Sequence, residues 1–287
     1  MGGNSSKKEG KIMVTGYNLR LDKNTSEFLD YVELGKNHLN TQKAKTTEYL
    51  QKYIIDGIAD GTHIERDWFP QIDADIFISH SHTDEKLAQG LAGWLNHTFG
   101  LNCFIDSCVW GYSDEILEKI NDAYSDRQGK PTGGCTYDHK KCNTASKHVN
   151  TMLTIALHKM IDKAEVTLLL NTQNSISKYA DVYQKATYSP WIYSEIVCTE
   201  IVRKKTISEY RDNKILEHYI EKSEFRNDGF SAAYEVSLGH LKEMDMQCLK
   251  EWKNSYEKHK VKYALDSLYK ITHEEETRNI SIDMLYL

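Results

Sequence analysis

The stretch Ala74-Asp75-Ile76-Phe77-Ile78-Ser79, followed by His80-Ser81-His82-Thr83-Asp84, decides the fold. A short run of β-branched and aromatic residues bounded by polar ones reads as a buried strand. Ser81 with Asp84 three residues on is a helix-capping signature, and Leu87, Leu91, Trp94 and Leu95 then make one buried helical stripe. A strand feeding an amphipathic helix is one βα unit.

A second unit follows. Asn102-Cys103-Phe104-Ile105-Asp106 reads as a buried strand and a loop carries Trp110 and Gly111. Ser113 then caps a helix through Ile116, Leu117, Ile120 and Tyr124, with Asp114 and Glu115 in the dipole-favoured first turn. Residues 127–150 break the pattern with Gly and Pro and read as an inserted surface loop, helical spacing resuming at Val149, Met152, Leu153, Ala156 and Met160. Val166-Thr167-Leu168-Leu169-Leu170 is the most apolar strand. Ser189-Pro190-Trp191 opens another helix with a cap and a proline at the first helical position. Tyr234, Val236 and Leu238 alternate as a strand, and Asp245 is placed to cap a helix bearing Met246, Leu249, Trp252 and Tyr256. Strands alternating with helices predict an α/β fold, a central parallel sheet flanked by helices.

Upstream, residues 1–70 read as a mainly helical extension, with Phe28, Tyr31 and Val32 in one helix and Tyr49, Leu50, Tyr53, Ile54 and Ile58 in a second. Ile12, Val14, Tyr17, Leu19 and Leu21 form a weak strand or hairpin pattern. The α/β domain is expected over residues 71–270, leaving 271–287 as a tail. The net charge of −6 argues against a nucleic-acid partner, which needs a basic face. No apolar run is long enough for a membrane span and no secretory leader is visible, so the expected compartment is the cytosol. Gly2 formally fits a myristoylation pattern, against the simpler reading of a polar start. The six cysteines are scattered, so no disulfide framework is expected. Cys135, His139, Cys142 and His148 are soft ligand types, but their spacing misses the tight pairs of structural zinc, and no metal is expected.

In an open parallel sheet, ligands bind beyond the carboxyl ends of the strands, near the point where strand order reverses. The first strand delivers Ser79, His80 and Ser81 there, the second delivers Asp106 and the Trp110 loop, and the third leads to the helix that begins at Ser189. That helix holds two glutamates. Glu200 has Arg203 and Lys204 at helical spacing and reads as a solvated salt-bridging residue. Glu195 instead has Trp191, Cys198 and Thr199 on its face, with no cation along the helix. A carboxylate there either finds a structural hydrogen bond or serves a ligand. Trp110 and Trp191 are candidates for stacking on a substrate ring or for packing, and Asp106 for shaping a pocket or forming a turn.

Residues Asp73–His82 resemble the opening strand of TIR domains, Cys103-Phe104-Ile105-Asp106 with Gly111 resembles their second strand and BB loop, and Trp191-Ile192-Tyr193-Ser194-Glu195 resembles the Trp-x-x-x-Glu signature of TIR enzymes that consume NAD. Residues 234–241, with Trp252 beyond them, are similar to the end of bacterial TIR domains. The resemblance spans roughly residues 73–265 and implies a flavodoxin-like order. It makes Glu195 the catalytic residue and His80 and Ser81 pocket residues, and Ser79, Asp106, Trp110 and Trp191 join them as substrate-binding candidates from their places at the strand ends and the helix start. His80 departs from the aromatic-arginine pair of many animal TIRs. The implied reaction is cleavage of the nicotinamide–ribose bond of NAD+, a substrate and not a cofactor. It would yield a cyclic ADP-ribose isomer or related signal, as in Thoeris-type antiphage defence. The implied partners are further copies of the chain and a separate effector protein that senses the product. The rivals are a TIR toxin that depletes NAD, with linear ADP-ribose as product, and a non-enzymatic adaptor.

Overall fold

The computed structural model describes residues 16–21, 25–42, 53–55, 58–110, 113–130, 134–179, 183–202, 204–205, 233–259 and 261–273. Its centre is a five-stranded sheet of β1 (Tyr17–Arg20), β2 (Ile76–Ser79), β3 (Cys103–Phe104), β4 (Val166–Asn171) and β5 (Lys242–Asp245). The spatial order is β5-β1-β4-β2-β3, with every neighbouring pair parallel. Ile76, Phe77, Ile78, Leu168 and Leu170 are fully buried or nearly so, which is why the two central strands read as continuous apolar runs. The expected α/β class with a parallel sheet flanked by helices is observed.

The helices form two groups. In one, α1 (Val32–Gln42) lies along α2 (Glu85–Phe99), and α6 (Met246–His259) touches both α2 and α7 (Ala264–Thr272). In the other, α4 (His139–Lys163) contacts α3 (Ser113–Tyr124) and α5 (Pro190–Ile201). Local chemistry sets several boundaries. Ser189 accepts from the Ile192 amide with Pro190 in the first turn, and Asp245 accepts from the Cys248 amide, both as the sequence predicts. Gly100, at φ 70°, ends α2 in the left-handed conformation. Among the described residues no helix is long and apolar enough to cross a membrane.

Several features differ from expectation. The boundary expected near residue 70 is crossed by one continuous core: Tyr17, Leu19, Phe28 and Leu39 join the same buried cluster as the central strands. β1 is an interior strand, between β4 and β5. Ile54–Ile55 and Ile58–Ala59 pair as two short antiparallel strands where a second helix was predicted. Tyr49, Leu50, Ile12, Val14 and Gly2 lie outside the described residues.

Within the 127–150 segment, only its first part is a loop and small hairpin (Gln128–Gly129 with Cys135–Thr136). α4 begins already at His139, because Asp138 accepts from the Lys141 amide and caps it. The alternation of Tyr234, Val236 and Leu238 is not a central strand. Tyr234–Glu235 pairs antiparallel with Thr187 and Ala186 in a separate three-stranded sheet, and the fifth parallel strand comes later, at Lys242. Ser81 precedes the single helical turn His82–Asp84 without a side-chain capping bond, and the side chain of Ser113 lies outside the described residues. The helix carrying Tyr269 continues through Thr272 to a buried His273, across the tail boundary expected at 270.

Parallel register places Ser79, Leu169, Asn18 and Glu243 in one row across the sheet, so their side chains share a face. Asn18, fully buried, accepts from Asn171 Nδ2 at 2.7 Å and donates to both Glu243 oxygens at 3.0 and 3.1 Å. This network ties β1 to both neighbours. Asn18→Leu is expected to cost about 2 kcal/mol, because it removes the buried hydrogen bonds that Asn18 makes with Asn171 and Glu243. Urea denaturation checks it, with Arg20→Ala, whose ion pair with Glu243 is exposed, costing under about 1 kcal/mol.

Candidate active site

The strand order reverses between β2 and β4, and the residues that end those strands meet α5 there. Ser79, the last residue of β2, donates its hydroxyl to Glu195 Oε2 at 2.6 Å. Glu195 enters on the second turn of α5, fixed by the Ser189-Pro190 start, and is 4% exposed. The carboxyl borders a cavity of about 10 Å³ lined by Ser79, Thr167, Leu169, Ile196, Thr199 and Leu241. That is room for about one water.

Electrostatics in this enclosure push Glu195 towards its acid form. Burial raises its pKa well above the ordinary carboxylate value, the negative charge of Asp106 adds to the rise, and the Ser79 hydroxyl opposes it. His80, the next residue after Ser79, is 9% exposed, and neither ring nitrogen has a hydrogen-bond partner within the described structure. Burial holds its imidazole below the usual histidine pKa, against the pull of Asp106 and Glu85 and, more weakly, the Ile78 carbonyl and Asp84. A buried imidazole whose nitrogens make no well-formed hydrogen bond, with only the weak pull of the Ile78 carbonyl, is costly, and it calls for a further partner, water or ligand.

Asp106 opens the short helix Asp106–Val109 and is half-buried, its charge bearing on both Glu195 and His80. Ser81 is half-buried, and its carbonyl accepts from the Asp84 amide. Trp110 stands apart from the site. It is 2% exposed, donates its indole N–H to the Pro70 carbonyl and sits edge-on to Phe69 and Phe104, so its ring is occupied by the core and not offered to a ligand. Trp191 is half-buried and packs against the main core, and Glu200 is exposed.

Sequence reasoning missed several neighbours. Thr167 and Leu169 line the cavity because they fall on the same face of β4 as Ser79 does on β2, a phase hidden in a uniformly apolar run. Leu241 arrives from just before β5. Asp84 accepts from Thr172 Oγ1 at 2.5 Å and from Asn174 at 2.7 Å, which ties the loop after β4 to the turn after β2. The nearby thiols are no nucleophiles at neutral pH: chiefly by burial, Cys108 is pushed up to about 12 and Cys198, on α5, up to about 11.

What results is a lone buried carboxyl, oriented by a serine, next to an unsatisfied neutral imidazole. In its acid form the carboxyl donates a hydrogen bond; ionised, it would stabilise a cation. Among the described residues no group of three His, Cys, Asp or Glu side chains is arranged to hold a metal. No protein-family model, curated protein or solved structure matches the chain.

Proposed function

We propose that this chain is a TIR-type enzyme that cleaves the nicotinamide–ribose bond of NAD+ with Glu195 as its catalytic residue. The observation that carries the reading is the Ser79–Glu195 hydrogen bond. It puts a buried carboxyl at the carboxyl ends of the central strands, where open parallel sheets bind ligands. The resemblance in sequence to TIR enzymes supplies the reaction.

The chemistry suits a single carboxylate. Nicotinamide departs as a neutral molecule from a cationic ring nitrogen, so no acid is needed to protonate it. As the bond breaks, positive charge develops on the ribose, and an ionised Glu195 stabilises it. The pyridinium charge of NAD+ also favours the ionised form of a carboxyl that is otherwise held protonated. Ser79 keeps the carboxylate aimed, and His80 finds in the substrate the partners it lacks. Once nicotinamide has left, a nucleophilic atom of the same molecule bonds to the vacated ribose carbon with loss of a proton, closing a cyclic isomer that a separate effector protein reads; attack by water at that carbon instead gives linear ADP-ribose, the product of a depleting toxin.

A second reading is favoured by the cavity itself. Space for about one water does not admit a nucleotide, as befits a non-enzymatic adaptor or an enzyme that opens on assembly with further copies of itself. Incubating concentrated protein with NAD+ and following nicotinamide by chromatography and mass spectrometry separates the two. Release is expected to fall at least 100-fold in Glu195→Gln, of the order seen when an electrostatic stabiliser is lost. Undiminished release in that variant removes Glu195 from the mechanism, and no release in any assembly state supports the adaptor.

A further inference from the structure

The wall that closes the Glu195 cavity is not uniform. Thr167 and Leu169 belong to a central strand, and Ile196 and Thr199 to a helix whose Cys198 is part of the main core. Ser79 ends a second central strand, and the last wall, Leu241, belongs to an irregular run that follows the Tyr234–Glu235 bridge and precedes β5. Val236, Leu238 and Leu241 pack with Leu169, Ile192 and Ile196 in a small apolar cluster separate from the main core. The segment thus crosses α5 and the end of β4 on a few side chains.

Among the described residues its attachments are local. At one end Tyr234 pairs with Thr187, the Val236 amide bonds the Lys185 carbonyl at 3.2 Å, and the Tyr234 ring stacks on half-exposed Tyr193 at 4.8 Å. At the other, His240 Nε2 meets Thr199 Oγ1 at 2.9 Å, and the Lys242 amide bonds the Gly16 carbonyl where β5 begins. Between these ends the described backbone bond is the internal turn from the Leu241 amide to the Leu238 carbonyl. A segment with few backbone bonds to its surroundings and a small satellite cluster opens more readily than a sheet strand.

We propose that residues 234–241 form a strap over Glu195, and that the strap lifts, hinged at the Tyr234 bridge and at the start of β5, to admit a ligand to the carboxyl. The closed strap leaves room for about one water and none for a substrate, so its release is the step at which activity is controlled. That last clause rests on the NAD-cleaving reading; the motion does not.

Two measurements on the full chain test it. In hydrogen exchange, the Val236 and Leu241 amides are expected to exchange at least tenfold faster than those of Leu168 and Leu170 in β4; equal rates overturn the strap. In the second, a water-soluble carbodiimide couples a glycine ester to accessible carboxyls, read by peptide mass spectrometry. Exposed Glu200 on the same helix is the internal reference. Leu238→Ser, or Tyr234→Ala should that variant fold poorly, is expected to raise coupling at Glu195 at least tenfold with Glu200 unchanged. No increase in a folded variant overturns the strap. Increased coupling with no nicotinamide release from NAD+ upholds the strap and counts against the NAD-cleaving reading alone.

Discussion

Gly35→Ala is expected to destabilise the protein by about 3 kcal/mol, although the same change inside an ordinary exposed helix stabilises by about 1 kcal/mol. The sign is what makes the experiment informative. A Cβ at Gly35 would lie 1.8 Å from the Gln89 carbonyl oxygen, a backbone atom that no rotamer change can move. The same crossing is built from the other side: a Cβ on Gly93 would fall 2.2 Å from the Tyr31 carbonyl, and one on Gly90 2.3 Å from that of Phe28. Three glycines thus let α1 and the turn before it lie directly on α2. The helices must separate to accept a methyl group, and the edge contacts of the Phe28 ring on Trp94 separate with them. Thermal or urea unfolding of Gly35→Ala and Gly93→Ala checks this, with Gly129→Ala, where nothing lies within 4 Å of the new atom, as the neutral control. If Gly35→Ala is as stable as the parent, the amino-terminal segment does not dock as described.

That segment also shows where sequence reading reaches its limit. β2, β4 and the start of α5 are legible because each carries a local signal: a continuous apolar run, or a serine–proline cap. β1 is not. Only Tyr17 and Leu19 face the core in a four-residue strand, and the intervening Asn18 is polar yet fully buried, its partners lying 153 and 225 residues away in the chain. Nothing within a dozen residues announces such a partner. β5 is hidden for a different reason. It is an edge strand of sequence Lys242-Glu243-Met244-Asp245, and only Met244 is buried. The first ten residues of α4 are polar because that part of the helix is largely solvated, so they lack an apolar stripe.

At the site, Glu195 stood out by elimination, having no cation at helical spacing, and Ser79 and His80 followed from where a parallel sheet opens. Trp110 was misleading. A tryptophan in a loop beside a strand end is compatible with stacking on a ligand, and only tertiary structure reveals that Phe69, Phe104 and the Pro70 carbonyl already occupy it. The tight enclosure of Glu195 was equally out of reach, since it depends on Leu241, which lies 46 residues beyond it in the numbering and on a different face of the fold's connectivity.

Glu195→Gln is expected to melt at a higher temperature than the parent protein at neutral pH and to match it near pH 4. In the folded state, burial and Asp106 hold the carboxyl protonated above its ordinary value of 4.5, whereas the unfolded chain releases the proton there. Between those two pKa values the folded state binds more protons, so the parent loses stability as pH rises, by about 1.4 kcal/mol per pH unit for one proton. Below pH 4.5 both states are protonated and the loss vanishes. Glutamine has the shape of the neutral acid, still accepts from Ser79 and carries no titrating proton, so the gap in melting temperature should widen with pH, by about 2 °C for each kcal/mol. Asp106→Asn, which removes the neighbouring charge and leaves the burial, should narrow that gap without closing it. A gap that is flat with pH, or that favours the parent, means Glu195 does not sit unionised in the closed cavity. A residue whose removal stabilises the fold is kept for what it does to a ligand. The protein would then hold an acid that is costly to ionise until a cationic substrate, or the lifting of its cover, supplies the reason.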